Sequence, residues 1–186
     1  MEIRAEKLCK AYHGTPVLQN VTFTAREGVT CIMAPSGTGK TTLLRLLLGL
    51  EHPDSGSLTR CHWSAVFQED RLLEQLNAMG NLRFVLGPAL DERKANAMLE
   101  QLGLGDVGEK KVREYSGGMK RRLALARALL AEADALALDE PFTGLDEENR
   151  ERCLGCIREA AQEKPVLLVT HDIADAQGLS ATIIRI

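Results

Sequence analysis

The chain has 186 residues, of which 45% are hydrophobic and 26% charged, with a formal net charge of −3. That length supports one full domain with a sizeable core, and the composition excludes a disordered or fibrous chain. The acidic balance argues against a protein that grips nucleic acid over a broad surface, because that binding needs clustered Lys and Arg. Met1-Glu2-Ile3-Arg4 lacks the basic start and apolar run of a secretory leader. The best apolar stretch, Leu43 to Leu50, is interrupted by Arg45 and is too short to span a bilayer. A cytoplasmic chain is expected, with any membrane role coming through a partner.

Val21, Phe23 and Ala25 alternate with polar residues, which predicts a half-buried strand near a sheet edge. Val29 to Met33 is continuously apolar, as are Ala135 to Leu138 and Val166 to Val169. Such runs fit strands of a parallel sheet covered on both faces. Each ends in a conspicuous segment: Ala34-Pro35-Ser36-Gly37, Asp139-Glu140 and Thr170-His171. Ligands of open parallel sheets sit just beyond the carboxyl ends of the strands, so three strands are expected to deliver their chemistry to one edge.

After the first of these runs, residues 34 to 42 read Ala-Pro-Ser-Gly-Thr-Gly-Lys-Thr-Thr and open a helix expected to reach Leu50. A glycine-rich turn between strand and helix is the context of a phosphate-binding P-loop. Gly37 and Gly39 let backbone N–H groups curl around phosphate oxygens, and the helix start adds a favourable dipole. Lys40 neutralises the outer phosphates and Thr41 offers a hydroxyl to Mg²⁺. Ala34 stands where the motif has Gly, so that position is expected in an ordinary backbone conformation.

Val66-Phe67 is the last strand-like piece before a helical stretch from Gln68 to about Leu130. Gln68 either reaches metal-bound water or is a solvated loop residue. Ala95, Met98, Leu99 and Leu102 follow helical spacing, and Gly103 stops that segment. Tyr115-Ser116-Gly117-Gly118-Met119 opens a helix to about Leu130, with Ser116 as N-cap. Lys120, Arg121 and Arg122 crowd its first turns, where the dipole disfavours positive charge. Either this start concentrates positive potential to meet an anion, or it is an ordinary capped helix with a solvated basic face. As an anion site it would complete the nucleotide pocket of another copy of the chain.

Asp139, at the tip of an apolar strand, is expected on the metal, with Glu140 placed to polarise an attacking water. The bland alternative is that both cap the next helix, whose start already holds Asp146, Glu147 and Glu148. His171 either hydrogen-bonds the terminal phosphate or is structural. Cys153 and Cys156 form a C-x-x-C, but Cys153, Ile157 and Ala160 share one apolar stripe, so core packing is expected for an intracellular chain with five free thiols.

In their order along the chain, Tyr12, the P-loop, Gln68, Ser116-Gly117-Gly118, Asp139-Glu140, Gly144-Leu145-Asp146 and His171 resemble the nucleotide-binding subunits of ATP-binding cassette (ABC) transporters. The likeness covers nearly the whole chain. It implies an α/β fold: a P-loop NTPase core with a mostly parallel sheet, a small antiparallel β part and an inserted helical subdomain. Residues 1–67 and 131–186 would form the core of a single ATPase domain, and 68–130 the insertion carrying the signature. ATP and Mg²⁺ would be the ligands. Tyr12 would stack on adenine, with Val17 also at the nucleotide and Ala34, Pro35, Ser36, Gly37, Thr38, Gly39, Lys40, Thr41 and Thr42 around the phosphates. Thr41, Gln68 and Asp139 would serve the metal, and Glu140, His171, Lys40 and Gln68 the hydrolysis. Ser116, Gly117, Gly118 and Asp146 would act across a head-to-tail pair with a second copy or a paralogous subunit.

The resemblance further implies transmembrane permease subunits, an extracytoplasmic solute-binding protein, no nucleic acid, and a place on the inner face of the cell membrane. The wording around Ser116 and Phe67-Gln68-Glu69-Asp70 looks most like importers of nitrate, sulfonate or taurine-type solutes. The alternative function is a soluble ABC-type ATPase uncoupled from transport. A P-loop kinase would leave the Ser116 helix and His171 without roles. Tyr115 and Met119 replace the commoner Leu and Gln of the signature, the segment from Lys40 to Gln68 looks shortened, and the end at Ile186 predicts a compact subunit without a regulatory tail.

Overall fold

A computed structural model describes residues 1–33 and 38–185. Its central element is a five-stranded sheet built from β3 (Gly28–Met33), β5 (Trp63–Val66), β6 (Ala135–Asp139), β7 (Pro165–Val169) and β8 (Thr182–Arg185). The order is β5-β6-β7-β3-β8, and every pairing is parallel. A second sheet, in the order β2-β1-β4, is antiparallel and joins β1 (Ile3–Tyr12), β2 (Thr15–Ala25) and β4 (Ser55–Leu58).

The apolar runs are explained by a core on each face of the parallel sheet. Leu136 and Leu138 of β6, Val166 and Leu168 of β7, and Val29 and Cys31 of β3 face one core. Their alternates Ala135, Ala137, Leu167, Val169 and Ile32 face the other. Strand side chains alternate between faces, so a strand buried on both must be apolar throughout. The first core is closed by α2 (Ala78–Leu86), α3 (Glu92–Gln101), α4 (Gly117–Leu130), α5 (Glu147–Ala160) and α6 (Ile173–Gly178). The second is closed by α1 (Lys40–Leu47) and the antiparallel sheet, whose Val21, Phe23 and Ala25 point inward from the edge strand β2 as their alternation predicts.

Helix ends follow local chemistry. The helix after the P-loop stops at Leu47, short of the expected Leu50, because Gly49 takes a left-handed conformation at φ +67°. The Gly49 amide then donates to Leu46 O at 3.1 Å and the Leu50 amide to Arg45 O at 2.9 Å. This is a Schellman motif. Gly103 ends α3 in the same way, with Leu104 donating to Leu99 O at 2.7 Å. Residues 69–77 precede α2 without forming a helix and are held by the buried Asn81, whose side chain bonds both the amide and the carbonyl of Leu73. The strand β8 was not anticipated. It pairs with β3 through Thr182 to Arg185, too short a run for its alternation to stand out.

Leu138 lies fully buried beneath the end of β6. Leu138→Ala is expected to lower stability by about 2–5 kcal/mol in chemical denaturation; a change under about 1 kcal/mol would contradict the packing described.

Candidate functional site

The register of the parallel sheet sets the site. Ile32 of β3 and Asp139 of β6 both pair with Val169 of β7, so β6 and β7 end at one level and β3 one residue beyond it, at Met33. In β5, Val66 pairs with Leu138, one residue before that level. Beyond the strand ends come the P-loop, Glu140, Thr170-His171 and Phe67-Gln68. Ala34, Pro35, Ser36 and Gly37 lie outside the described residues.

The start of α1 is preceded by Gly39 at φ +93°. A Cβ there would come within 2.8 Å of the Val17 and Leu18 side chains, so only glycine fits, and the same approach brings Val17 beside the loop. The first turn of α1 has no acidic residue and Gly39 contributes no capping side chain. No acidic side chain of its own first turn offsets the positive end of its dipole, a setting that favours an anion. Lys40 and Thr41 occupy the first turn, Thr41 exposed and Thr42 buried.

At the end of β6, Asp139 is only 7% exposed, and burial, followed by the charge of Glu140, raises its carboxyl above the usual range, while Arg121 and Lys40 oppose the shift. Burying a carboxylate here is costly without further positive charge. Glu140 adopts φ +48°, a left-handed conformation disfavoured for a side chain with a Cβ. Three ties hold it. Its amide donates to Val169 O at 2.9 Å, its carbonyl accepts from Arg121 Nη2 at 2.6 Å, and its Oε1 accepts from His171 Nδ1 at 2.8 Å.

That last bond fixes the imidazole by one nitrogen and leaves Nε2 for a second partner. It also raises the His171 pKa, with the Glu140 hydrogen bond as the largest cause. Thr170 Oγ1 lies 3.3 Å from Glu140 Oε2 and 2.8 Å from Asp175 Oδ2, and the single hydroxyl proton goes to the nearer, buried Asp175. Asp175 is held in turn by Arg150 Nη2 at 2.9 Å. The arrangement can orient a water against a carboxylate beside a helix start that attracts anions.

A second group of expected site residues gathers elsewhere. Ser116, Gly117, Gly118, Gln68 and Asp146 line a cleft of about 530 Å³, and among the described residues its lining does not include Lys40, Thr41, Asp139, Glu140 or His171. Ser116 caps α4 by accepting from the Met119 amide at 3.3 Å, and Asp146 caps α5 by accepting from the Asn149 amide at 2.9 Å. Gly118 packs so closely on the turn before α5 that a Cβ would sit 3.3 Å from Gly144 O.

The basic residues of α4 do not form the positive face that one sequence reading allowed. Arg121 and Arg122 are buried. Arg122 Nη1 donates to Leu102 O at 2.6 Å and Gly103 O at 2.8 Å, Arg121 binds the strand ends, and Lys120 pairs with Glu74 at 2.6 Å. Unmet carbonyls at a helix end and at two strand ends take up these donors.

Tyr12 lies partly exposed at the end of β1, where its hydroxyl donates to Glu51 and Lys10 lies 5.6 Å from its ring. Glu51 is also paired with Arg45 at 3.2 Å. Cys153 and Cys156 are buried thiols, their pKa values pushed up by burial to about 12 and about 11, which fits packing rather than metal or redox chemistry. Ala160, the third residue of that predicted stripe, is only partly buried, and Leu154 and Ala161 complete the face.

Sequence reasoning named Thr170 only as the neighbour of His171 and missed Asp175, Arg150 and Glu51. Arg150 and its partner Asp175 are 25 residues apart, and Tyr12 lies 39 residues from Glu51, so no local pattern marks those pairs. No group of three or more His, Cys, Asp or Glu side chains placed to hold a metal ion occurs among the described residues. Mg²⁺ is compatible with the donors present, because it keeps several waters and takes one or two carboxylates together with substrate phosphates. Asp139 is such a carboxylate and Thr41 such a hydroxyl. No helix of the described residues is long and apolar enough to cross a membrane.

The profile of the ABC transporter family matches residues 18–143. The chain is 38% identical to the aliphatic sulfonates import ATP-binding protein SsuB 1 of Rhodococcus jostii, over 91% of this chain and 72% of that one. It is 36% identical to the taurine import ATP-binding protein TauB of Pseudomonas putida, over 98% of this chain and 77% of that one. A solved structure of the ATP-binding subunit of an ABC transporter superposes with a TM-score of 0.89 at 23% identity, covering 100% of this chain and 86% of the other, and so shares the fold.

The His171–Glu140 bond predicts a pH effect. A raised folded-state pKa means the interaction stabilises the protein at pH below the ordinary imidazole range and is lost as pH rises through the raised value. Glu140→Gln should lower the His171 midpoint toward about 6.5 in an NMR titration; an unchanged midpoint would contradict the bond.

Proposed function

The chain belongs to the ABC transporter family, and from that premise we propose how its residues bind and hydrolyse ATP to energise solute transport through permease subunits. The carrying observation is the common level of Ile32, Asp139 and Val169, which directs the P-loop, Glu140 and His171 to one edge. Lys40 and the amide end of α1 receive the phosphates, while Tyr12 and Val17 take the adenine side. Thr41 and Asp139 would hold Mg²⁺, and Gln68, which here lines the cleft of Ser116, would serve it from that side. Bound Mg²⁺ supplies charge neutralisation for the phosphate oxygens. Glu140 polarises the attacking water, and His171, oriented by Glu140, offers Nε2 to the terminal phosphate.

The separate cleft of Ser116, Gly117, Gly118 and Asp146 supports a head-to-tail pair in which these residues close over the nucleotide of a second copy or a paralogous subunit. The insertion spanning 68–130 transmits closure to the permease. Exposed Phe84 and Val85 on α2 support contact there. Relatives named for sulfonate and taurine import support an import system, with the solute read by the permease and a solute-binding protein, and a place on the inner face of the membrane.

Glu140→Gln is expected to cut hydrolysis by about a hundredfold or more and, with Mg·ATP, to yield a stable pair on gel filtration. A monomer at saturating Mg·ATP would contradict pairing of the isolated subunit. Lys40→Ala should abolish ATP binding; unchanged affinity would overturn the phosphate role.

A further inference from the structure

Arg121 lies one turn into α4 with 3% of its surface exposed, in the helix that Ser116 caps. Its guanidinium reaches two strand ends at once. Nη2 donates to Asp139 O at 2.8 Å and Glu140 O at 2.6 Å, and Nε to Glu140 O at 3.2 Å. Nη1 donates to Phe67 O at 2.5 Å, Gln68 O at 3.2 Å and Asp70 Oδ1 at 3.0 Å. The planar fork of donors serves five acceptors from two segments that leave the sheet side by side, a task a lysine ammonium cannot reproduce. The most heavily bonded acceptor is the carbonyl of Glu140, whose own backbone is at φ +48°. A conformation of that kind costs on the order of 1–3 kcal/mol and persists only where surrounding bonds over-determine it.

We infer that Arg121 is a positioning residue that couples the Ser116–Gly118 helix start to Glu140 and Gln68 of the same chain, so that engagement of one nucleotide by the signature is transmitted to the water-polarising carboxylate at the other. The inference rests on the paired arrangement proposed above. When α4 shifts as its start meets the partner copy's nucleotide, the guanidinium moves the Glu140 and Gln68 carbonyls with it. Arg121 touches no reacting atom, and its effect passes through the backbone of Glu140.

The test compares Arg121→Lys and Asp70→Asn with the unaltered chain. It uses steady-state hydrolysis against ATP concentration, fluorescent-nucleotide titration for affinity, and circular dichroism for folding. Arg121→Lys is expected to lower kcat about tenfold to a hundredfold, to leave nucleotide affinity within about twofold, and to bring a Hill coefficient above 1 in the unaltered chain down to about 1. Asp70→Asn keeps the guanidinium and removes one anchor, so a smaller loss of kcat and cooperativity with unchanged affinity is expected, and it decides the matter if Arg121→Lys fails to fold. Retained kcat and Hill coefficient in a folded Arg121→Lys, or affinity falling in parallel with thermal stability, would overturn the coupling, as would a Hill coefficient of 1 in the unaltered chain. Failure of the unaltered chain to bind ATP would instead sink the function proposed above.

Discussion

Parallel strands that end at a common level leave their last carbonyls and amides without ladder partners, and those groups must be satisfied by something outside the sheet. In this chain β6 and β7 end together at Asp139 and Val169, level with Ile32 of β3, which runs one residue further to Met33. The Glu140 amide is met by Val169 O, and the carbonyls of Asp139 and Glu140 by Arg121. Glu140, which follows β6, is thereby fixed in place. The buried carboxylate of Asp139, the water-facing pair of Glu140 and His171, and the start of α1 are neighbours because the ladder puts their strands in register. The pairing of Arg121 with the same strand ends brings α4 into the arrangement as well.

The two groups of functional residues differ in how they are held. Around Glu140, buried or half-buried side chains form a chain of contacts from Arg150 through Asp175 and Thr170 to the carboxylate, with His171 bonded on its outer side. Such a network keeps a strained backbone in place. Around Ser116 and Asp146 the caps are exposed and the geometry is that of helix starts, suited to meet a ligand from another molecule. An edge built to hold a water and a cleft built to receive an anion divide one reaction between two surfaces of the chain.

Much of this was legible in the sequence where the signal is local. The apolar runs at Val29, Ala135 and Val166 read as doubly covered strands because both faces of the sheet are cores. Ser116 and Gly103 gave the ends of their helices through capping chemistry that needs only neighbouring residues. What escaped was long-range. Arg121 was visible as a basic residue in a first turn, but nothing local says that its acceptors lie at Phe67, Asp70 and Glu140. Lys120 and Arg122 misled for the same reason, since a charge near a helix start looks like a field at an anion site until its partners are known. Asp175 sits in a six-residue helix with no pattern to mark it as buried. The strand β8 is recognised only by its pairing with β3.

The central claim is that the level strand ends gather one triphosphate, its metal and its attacking water. A crystal structure with Mg²⁺ and a non-hydrolysable ATP analogue tests this most directly. It should show the phosphates on the start of α1 beside Lys40, the metal between Thr41 and Asp139, and Glu140 and His171 facing the terminal phosphate. Nucleotide bound anywhere else, or density for the metal remote from Asp139, would contradict the account.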